Sequence, residues 1–425
     1  MFVEKAFVLI LGKNEFSLRI FPLISFLISI PYFYFLSKKL LNNQMMALMA
    51  TSIYSITLSL INYSSEVKQY SIDVLLTILI FYYCLTLQLD KNRSLVILSI
   101  IGSVAVWFSN TSIIILFIAG IYLIYSEGLQ NRNFRIAFIL VFWIISFFIY
   151  YFLFILDHPT KEIMIAYWRD EGGFLPLNIL SKEFYNFLFE IPKSIYSYLL
   201  GYGPFWLIPF VISLTAIVIL FKQRQFPLLY FCLAPIVVHV LLSALELYPF
   251  KDRLILYITP LIIIIFSIGL YSIFEFINRR IIKLSYLLLI IPVFSIFYPI
   301  YLKYPIKKEE IKLSLNYINH NINNMDIIYV HYGAFRAFKF YEDINFITLN
   351  NSIIYDNGDR KEDSKYDPKI LNLNGKVWLI FTHPYRSEEE YILETLLNNG
   401  SEILEEKKYK GSSVYYIDTK NRRGQ

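Results

Sequence analysis

Apolar stretches of about 20 residues recur through the first three quarters of the chain, broken by short polar clusters. A helix rising about 1.5 Å per residue needs roughly that length to cross the hydrocarbon of a bilayer. The pattern predicts spans near 20–37, 44–62, 71–89, 94–108, 111–125, 136–156, 203–221, 227–245, 254–275 and 284–301. The fourth and fifth are short, and Ser109, Asn110 and Thr111 between them allow only a tight turn, so a re-entrant hairpin would lower the number of spans. Ahead of the first span, residues 1–15 carry a weak stripe of Phe2, Val3, Phe7, Val8 and Leu11, which suits a helix lying at the interface. They lack the basic start and small-residue cleavage site of a signal peptide.

From about residue 303 the pattern changes. Lys307 to Asn321 reads as an amphipathic helix with Ile311, Leu315 and Ile318 on one face. Strands are predicted at IIYVHY (327–332), NFITL (345–349), KVWLIFTH (376–383) and SSVYYID (412–418), with a helix near 387–399. Residues 350–374, rich in Asn, Asp and Lys, read as a long loop. The expected fold is therefore a polytopic all-α membrane bundle of about ten transmembrane helices over 1–302, with a large outer loop at about 157–202. An extracytoplasmic α/β domain follows over 303–425. Its histidines, His320, His331 and His383, are scattered and read as ordinary surface or strand residues.

Composition agrees. Of 425 residues 56% are hydrophobic and 17% charged, with a mean hydropathy of +0.51, more apolar surface than one water-soluble core hides. Cys84 and Cys232 both lie in apolar runs, which excludes a disulfide framework and a thiolate zinc site. Alternate connections are short and basic: Lys38 and Lys39, Lys91 and Arg93, Arg132 and Arg135, Lys222 and Arg224, then Arg279, Arg280 and Lys283. The positive-inside bias puts these in the cytoplasm and the remaining connections, with both chain ends, on the far side. Bringing Met1 outside would take a further span upstream. The net charge of +6 is spread over these turns and the C-terminal domain, which gives no basic helix for nucleic acid.

Ionisable groups at the edge of a span are costly and by default face a cavity or a partner. One such cluster is Tyr-Ser-Ser-Glu-Val-Lys-Gln-Tyr at 63–70, followed by Asp73 inside the next span; it suits a solvated hairpin cap or a seat for an anionic head group. Another is Tyr167, Trp168, Arg169, Asp170 and Glu171 in the outer loop, which suits an interfacial aromatic belt or a sugar-binding lip. The last is Tyr-Pro-Phe-Lys-Asp-Arg at 248–253, where the planar fork of Arg253 suits a phosphate, or snorkelling from a helix end. The sequence shows neither a glycine-rich phosphate loop nor a metal-ligand cluster.

The order of these clusters resembles the GT-C superfamily of polytopic glycosyltransferases, specifically bacterial relatives of the dolichyl-phosphate-mannose protein mannosyltransferases. The likeness starts with GKNEFSLRIFP (12–22), the basic turn at 38–43 and YSSEVKQYSID (63–73). It continues through Tyr167-Trp168, the span from Arg253 to Pro260, and the strands at 326–330 and 377–380. The resemblance implies transfer of a sugar from a polyprenyl-phosphate donor to a glycan, lipid or protein acceptor at the extracytoplasmic face, with inversion, by a multi-pass protein of the bacterial inner or plasma membrane. It places Lys68 and Arg253 near the donor phosphate, with Glu66 and Tyr70 flanking the same pocket and Asp73 a further substrate-binding candidate from its place in the span; Tyr167, Trp168 and Arg169 are the outer-loop candidates.

One departure stands out. The family opens with a span whose following loop carries an Asp-Glu pair, and nothing between Met1 and Arg19 replaces it: Glu4 and Glu15 are isolated. The expectation is a chain that starts after that loop and is inactive alone, with no catalytic carboxylate assigned. A divalent cation, used by some relatives, is expected only with the missing acid pair. The competing readings are a non-catalytic scaffold or binding member of the family and a lipid-linked sugar transporter. The last is disfavoured because the sequence lacks internal repeats and its polar clusters sit at one membrane face.

Overall fold

The computed structural model describes residues 2–88, 91–127, 133–278, 309–347, 349, 351–356, 368–384 and 387–419. The chain divides into two compact units, Met1–Lys303 and Tyr304–Gln425.

The first unit is helical. An entry helix, α1 (Phe2–Leu11), precedes α2 (Glu15–Leu41), whose start is fixed by a reciprocal cap: Asn14 accepts from the Ser17 amide and Ser17 returns a bond to the Asn14 backbone. Then come α3 (Gln44–Ile56), α4 (Leu58–Tyr63), α5 (Tyr70–Leu85), α6 (Asn92–Phe108), α7 (Ser112–Glu127) and α8 (Asn133–Tyr150), the last continued by a π turn at Tyr151–Ile155. The expected outer loop holds α9 (Lys161–Asp170) and α10 (Lys182–Lys193), which runs into a second π turn, Ser194–Leu199. Next are α11 (Leu207–Lys222), α12 (Phe226–Ala244), a 3-10 turn at Asp252–Ile258, and α13 (Thr259–Asn278).

Among the described residues five helical stretches are long and apolar enough to cross a membrane: Glu15–Leu41, Phe134–Ile155, Gly203–Lys222, Phe226–Ala244 and Asp252–Ile277. Three apolar helices are shorter, Tyr70–Leu85, Asn92–Phe108 and Ser112–Ser126. The expected span at 44–62 breaks at Thr57, whose extended backbone (ψ 118°) ends α3 while its hydroxyl donates to the Ile53 carbonyl. The span expected at 284–301, with Arg279, Arg280, Lys283 and Arg132, lies outside the described residues.

Small residues let these helices approach. A Cβ on Gly102 of α6 would sit 2.1 Å from the indole nitrogen of Trp143 on α8, and one on Gly269 of α13 would sit 2.3 Å from the Ile212 carbonyl of α11. That is the close backbone approach on which helix association in lipid depends, because lipid tails offer no hydrophobic drive between helices. Burial sorts the helices by position. Residues 255–269 are all buried, so the 3-10 turn and α13 form the middle of the bundle. On α8, Phe138, Val141, Phe142, Ile144, Ile145 and Phe148 are exposed, an apolar face that only lipid or another protein suits.

The second unit is a five-stranded mixed sheet in the order β2-β1-β3-β5-β4, formed by β1 (Ile327–Val330), β2 (Ser352–Tyr355), β3 (Lys376–Thr382), β4 (Glu402–Tyr409) and β5 (Ser412–Asp418). β1 pairs in parallel with β2 and β3; β5 pairs antiparallel with β3 and β4. Helices α14 (Ile311–Asn321) and α15 (Tyr332–Asp343) cover the face carrying Ile328, Val330, Trp378 and Ile380. Helix α16 (Glu388–Asn398) covers the other face, with Tyr329, Leu379 and Phe381.

Two strand expectations change. The strand expected at 345–349 is absent among the described residues there: the Phe346 amide returns to the Tyr341 carbonyl, closing the end of α15, and Ile347 is buried in the core. Beside β1, opposite β3, the parallel neighbour is instead Ser352–Tyr355, inside the stretch expected to be a loop. β4 was not legible because its sequence, EILEEKKY, is mostly charged and exposed, as suits an edge strand. His331 also departs from expectation. It is fully buried and caps α15, its Nδ1 accepting from the Gly333 amide at 3.3 Å, with Nε2 3.5 Å from Glu388 and 3.9 Å from Asp356.

Candidate functional site

The turn after α4 holds the sequence motif. α4 ends at Tyr63 and α5 begins at Tyr70, so the two phenols flank the turn, and their rings meet edge to face at 5.0 Å. The turn folds on itself: the Lys68 amide donates to the Glu66 carbonyl at 2.8 Å. α4 is clasped to the end of the 157–202 loop by Ser59, which donates to the Leu199 carbonyl at 2.6 Å, and by the paired hydroxyls of Tyr63 and Tyr198.

Arg253 joins this assembly from about 180 residues further along the chain. Its positive charge reaches the hydroxyls of Tyr63, Tyr70 and Tyr198. Its guanidinium carbon lies 5.7 Å from the centre of the Trp168 ring, within cation–π range. Trp168 is buried while Arg253 is exposed. Glu66 is close enough for its charge to act on Tyr63, Tyr70 and Tyr198 as well. Arg253, Trp168, Tyr63, Tyr70, Tyr198 and Glu66 thus form one cluster, built from α4, α5, α9, the second π turn and the 3-10 turn.

A web of backbone contacts fixes Trp168 beneath Arg253. The Gly173 amide donates to the Trp168 carbonyl at 2.7 Å, and the Gly173 carbonyl accepts from the Phe250 amide at 2.8 Å and the Ser243 hydroxyl at 3.0 Å. A Cβ on Gly173 would meet Pro249 at 2.9 Å and the Trp168 carbonyl at 3.0 Å, so only glycine fits. Outside this web Arg169 grips Glu246 through two bonds of 3.1 and 2.6 Å, and those bonds hold the Glu246 carboxyl below its ordinary range.

The remaining expected residues divide. Asp73 lies one turn into α5 and is buried, and its Oδ1 has no hydrogen-bond partner among the described residues. The charge of Asp73 reaches the hydroxyls of Tyr150, Tyr248 and Tyr257. Lys68 is exposed in the turn, and the contacts that assemble the cluster run without it. Tyr167 is exposed too, its ring 5.1 Å from that of Trp168, and Arg169 is committed to Glu246. Tyr63 sits in the expected motif, but Tyr198 was not legible: it lies in an amphipathic stretch with no motif, and its value comes from a contact with Tyr63. No group of three or more His, Cys, Asp or Glu among the described residues is arranged to hold a metal ion.

Chemically, this is a cation backed by an aromatic plane, ringed by phenol hydroxyls, with a carboxylate beside it. Such a set grips a phosphate and presents a stacking surface and hydroxyl partners next to it.

Residues 1–154 match the model of the family described as dolichyl-phosphate-mannose-protein mannosyltransferase. The fold is similar to that of the crystal structure of ArnT from Cupriavidus metallidurans bound to undecaprenyl phosphate, with a TM-score of 0.55 and 10% identity over 98% of this chain and 86% of that one. No curated protein matches the sequence.

Proposed function

We propose that this chain, whose first 154 residues match the mannosyltransferase family model and whose fold is similar to that of ArnT, is a GT-C superfamily membrane glycosyltransferase that moves a sugar from a polyprenyl-phosphate donor to an acceptor hydroxyl at the extracytoplasmic face. The observation that carries this reading is the position of Arg253, over Trp168 and within charge reach of Tyr63, Tyr70 and Tyr198.

In the proposed reaction the acceptor oxygen forms a bond to the anomeric carbon while the bond from that carbon to the phosphate oxygen breaks. The acceptor proton passes to a base, and polyprenyl phosphate leaves with the electron pair. Negative charge grows on the phosphate as that bond breaks, and a guanidinium fixed in advance stabilises this charge without reorganising. Trp168 holds the plane of Arg253, Tyr70 and the one free O–H of the Tyr63–Tyr198 pair donate to phosphate or sugar oxygens, and Glu66 accepts from sugar hydroxyls. Lys68, exposed at the rim, adds a mobile charge for the arriving donor. Asp73, buried one turn into α5, is given no contact with the donor.

The test is transfer from a labelled polyprenyl-phosphate sugar in membranes containing this chain, alone and in an upstream-extended form, because no catalytic carboxylate is assigned in it, with the variants compared in whichever form transfers. Arg253→Gln is expected to lower transfer by about 10²–10³-fold, the usual scale for losing one preorganised donor to a developing anion. Lys68→Gln is expected to raise KM with little change in kcat. Wild-type rates in Arg253→Gln would remove the physical basis of the assignment. Donor binding that depends on Arg253 without turnover would point to a binding member of the family instead.

A further inference from the structure

A cavity of about 370 Å³ opens at the end of α5 opposite the motif. α5 is 16 residues long, so the two ends lie about 24 Å apart along the helix, and the cavity is separate from the Arg253 cluster. Its walls are aromatic: Tyr32 and Phe35 from α2, Tyr82 and Tyr83 from α5. The Tyr82 and Tyr83 rings meet at 5.3 Å, and Tyr32 stands 5.9 Å from Tyr82 and 6.4 Å from Tyr83. Its rim is cationic, with Lys91 and Arg93 exposed at the start of α6, and no ion pair among the described residues neutralises either.

The backbone adds to this charge. The Lys91 carbonyl accepts from the Ser94 and Leu95 amides, which starts α6 at the rim and leaves the Asn92 and Arg93 amides as further donors there. From the same end an apolar lane leads away along α6: Val96, Ile100 and Val104, spaced four residues apart, are 46%, 56% and 45% exposed. The combination is directional, with two cations and a helix start over an aromatic hollow that carries phenol hydroxyls, and a hydrocarbon-compatible stripe beside it. A free inorganic phosphate would use only the rim; a phosphate ester with a glycerol body and an acyl chain uses all three parts.

We propose that this cavity seats the phosphate headgroup of an anionic phospholipid, held by Lys91 and Arg93, with its glycerol body against Tyr32, Tyr82 and Tyr83 and an acyl chain along α6. The short loop carrying these cations is one of the basic connections that the positive-inside bias assigns to the cytoplasm, where anionic headgroups concentrate. Such a lipid would brace α2, α5 and α6 at the far end of the helix that carries the motif.

The full chain, purified in detergent and stripped of native lipid, tests this by native mass spectrometry with dioctanoyl phosphatidylglycerol, dioctanoyl phosphatidylcholine and inorganic phosphate as probes. One phosphatidylglycerol per chain is expected to persist, held at least tenfold more tightly than phosphatidylcholine, with inorganic phosphate not retained. Lys91→Gln with Arg93→Gln is expected to weaken phosphatidylglycerol about tenfold or more, and Tyr83→Phe alone to weaken it less. If the double variant fails to fold, Arg93→Gln and Tyr83→Phe separately carry the test. Equal retention of the two lipids, or unchanged phosphatidylglycerol affinity in every variant, overturns the proposal; phosphate bound as tightly as phosphatidylglycerol overturns the lipid reading in favour of a free anion. Sugar transfer is not the readout, so this result and the reading of the Arg253 cluster stand or fall separately.

Discussion

Asp326 shows how much one side chain organises the C-terminal unit. Its carboxylate accepts from the Trp378 indole at 3.2 Å, the Tyr416 hydroxyl at 3.1 Å and the Asn323 amide at 3.0 Å, under a Trp378–Tyr416 stack at 4.3 Å. Asp326→Ala strands two buried donors, and the expected cost is about 2–4 kcal/mol. Hydrogen exchange of the β1 and β3 amides in the full chain measures it, and unchanged protection would contradict the role. A second prediction concerns Arg169 and Glu246. The Glu246 carboxyl is held low by the hydrogen bonds from Arg169, so their link is complete above the ordinary carboxylate value and is lost as pH falls through the lowered one. Protease cleavage in 157–202 is therefore expected to rise on acidification below the ordinary carboxylate range, and Glu246→Gln to give the raised rate already at neutral pH.

At the scale of elements, the contact between α11 and α13 rests on Gly269. Gly269→Leu is expected to push the two helices apart, since even a Cβ lies 2.3 Å from a backbone carbonyl, and to lower the thermal midpoint of the folded chain. Apolar length and the basic turns made most of these helices legible. The break at Thr57 was not, because β-branched residues are common in membrane helices and no proline or glycine marks the bend. The sheet was half legible: β1, β3 and β5 are nearly continuous apolar runs buried on both faces, whereas β2 is four residues long and β4 is charged. The motif at 63–73 lies at the start of α5, and Arg253 and Trp168 were both marked by residue type. Their meeting, and the part played by Tyr198, depend on contacts between segments far apart in sequence, which periodicity does not encode.

For the whole molecule, burial separates an interior helix from a lipid-facing one even though both are apolar along their length. Cys84 and Cys232 are buried, so a maleimide is expected to label the folded chain slowly and the denatured chain fully. Rapid labelling in intact membranes would contradict the helix arrangement. The cation over Trp168 also sets an order of events during synthesis. Every aromatic partner of the cluster has left the ribosome before residue 253 is made, so a nascent chain halted near residue 250 carries the indole and the phenols without their counter-charge. The guanidinium therefore joins the cluster last, in a single late step, when Arg253 emerges.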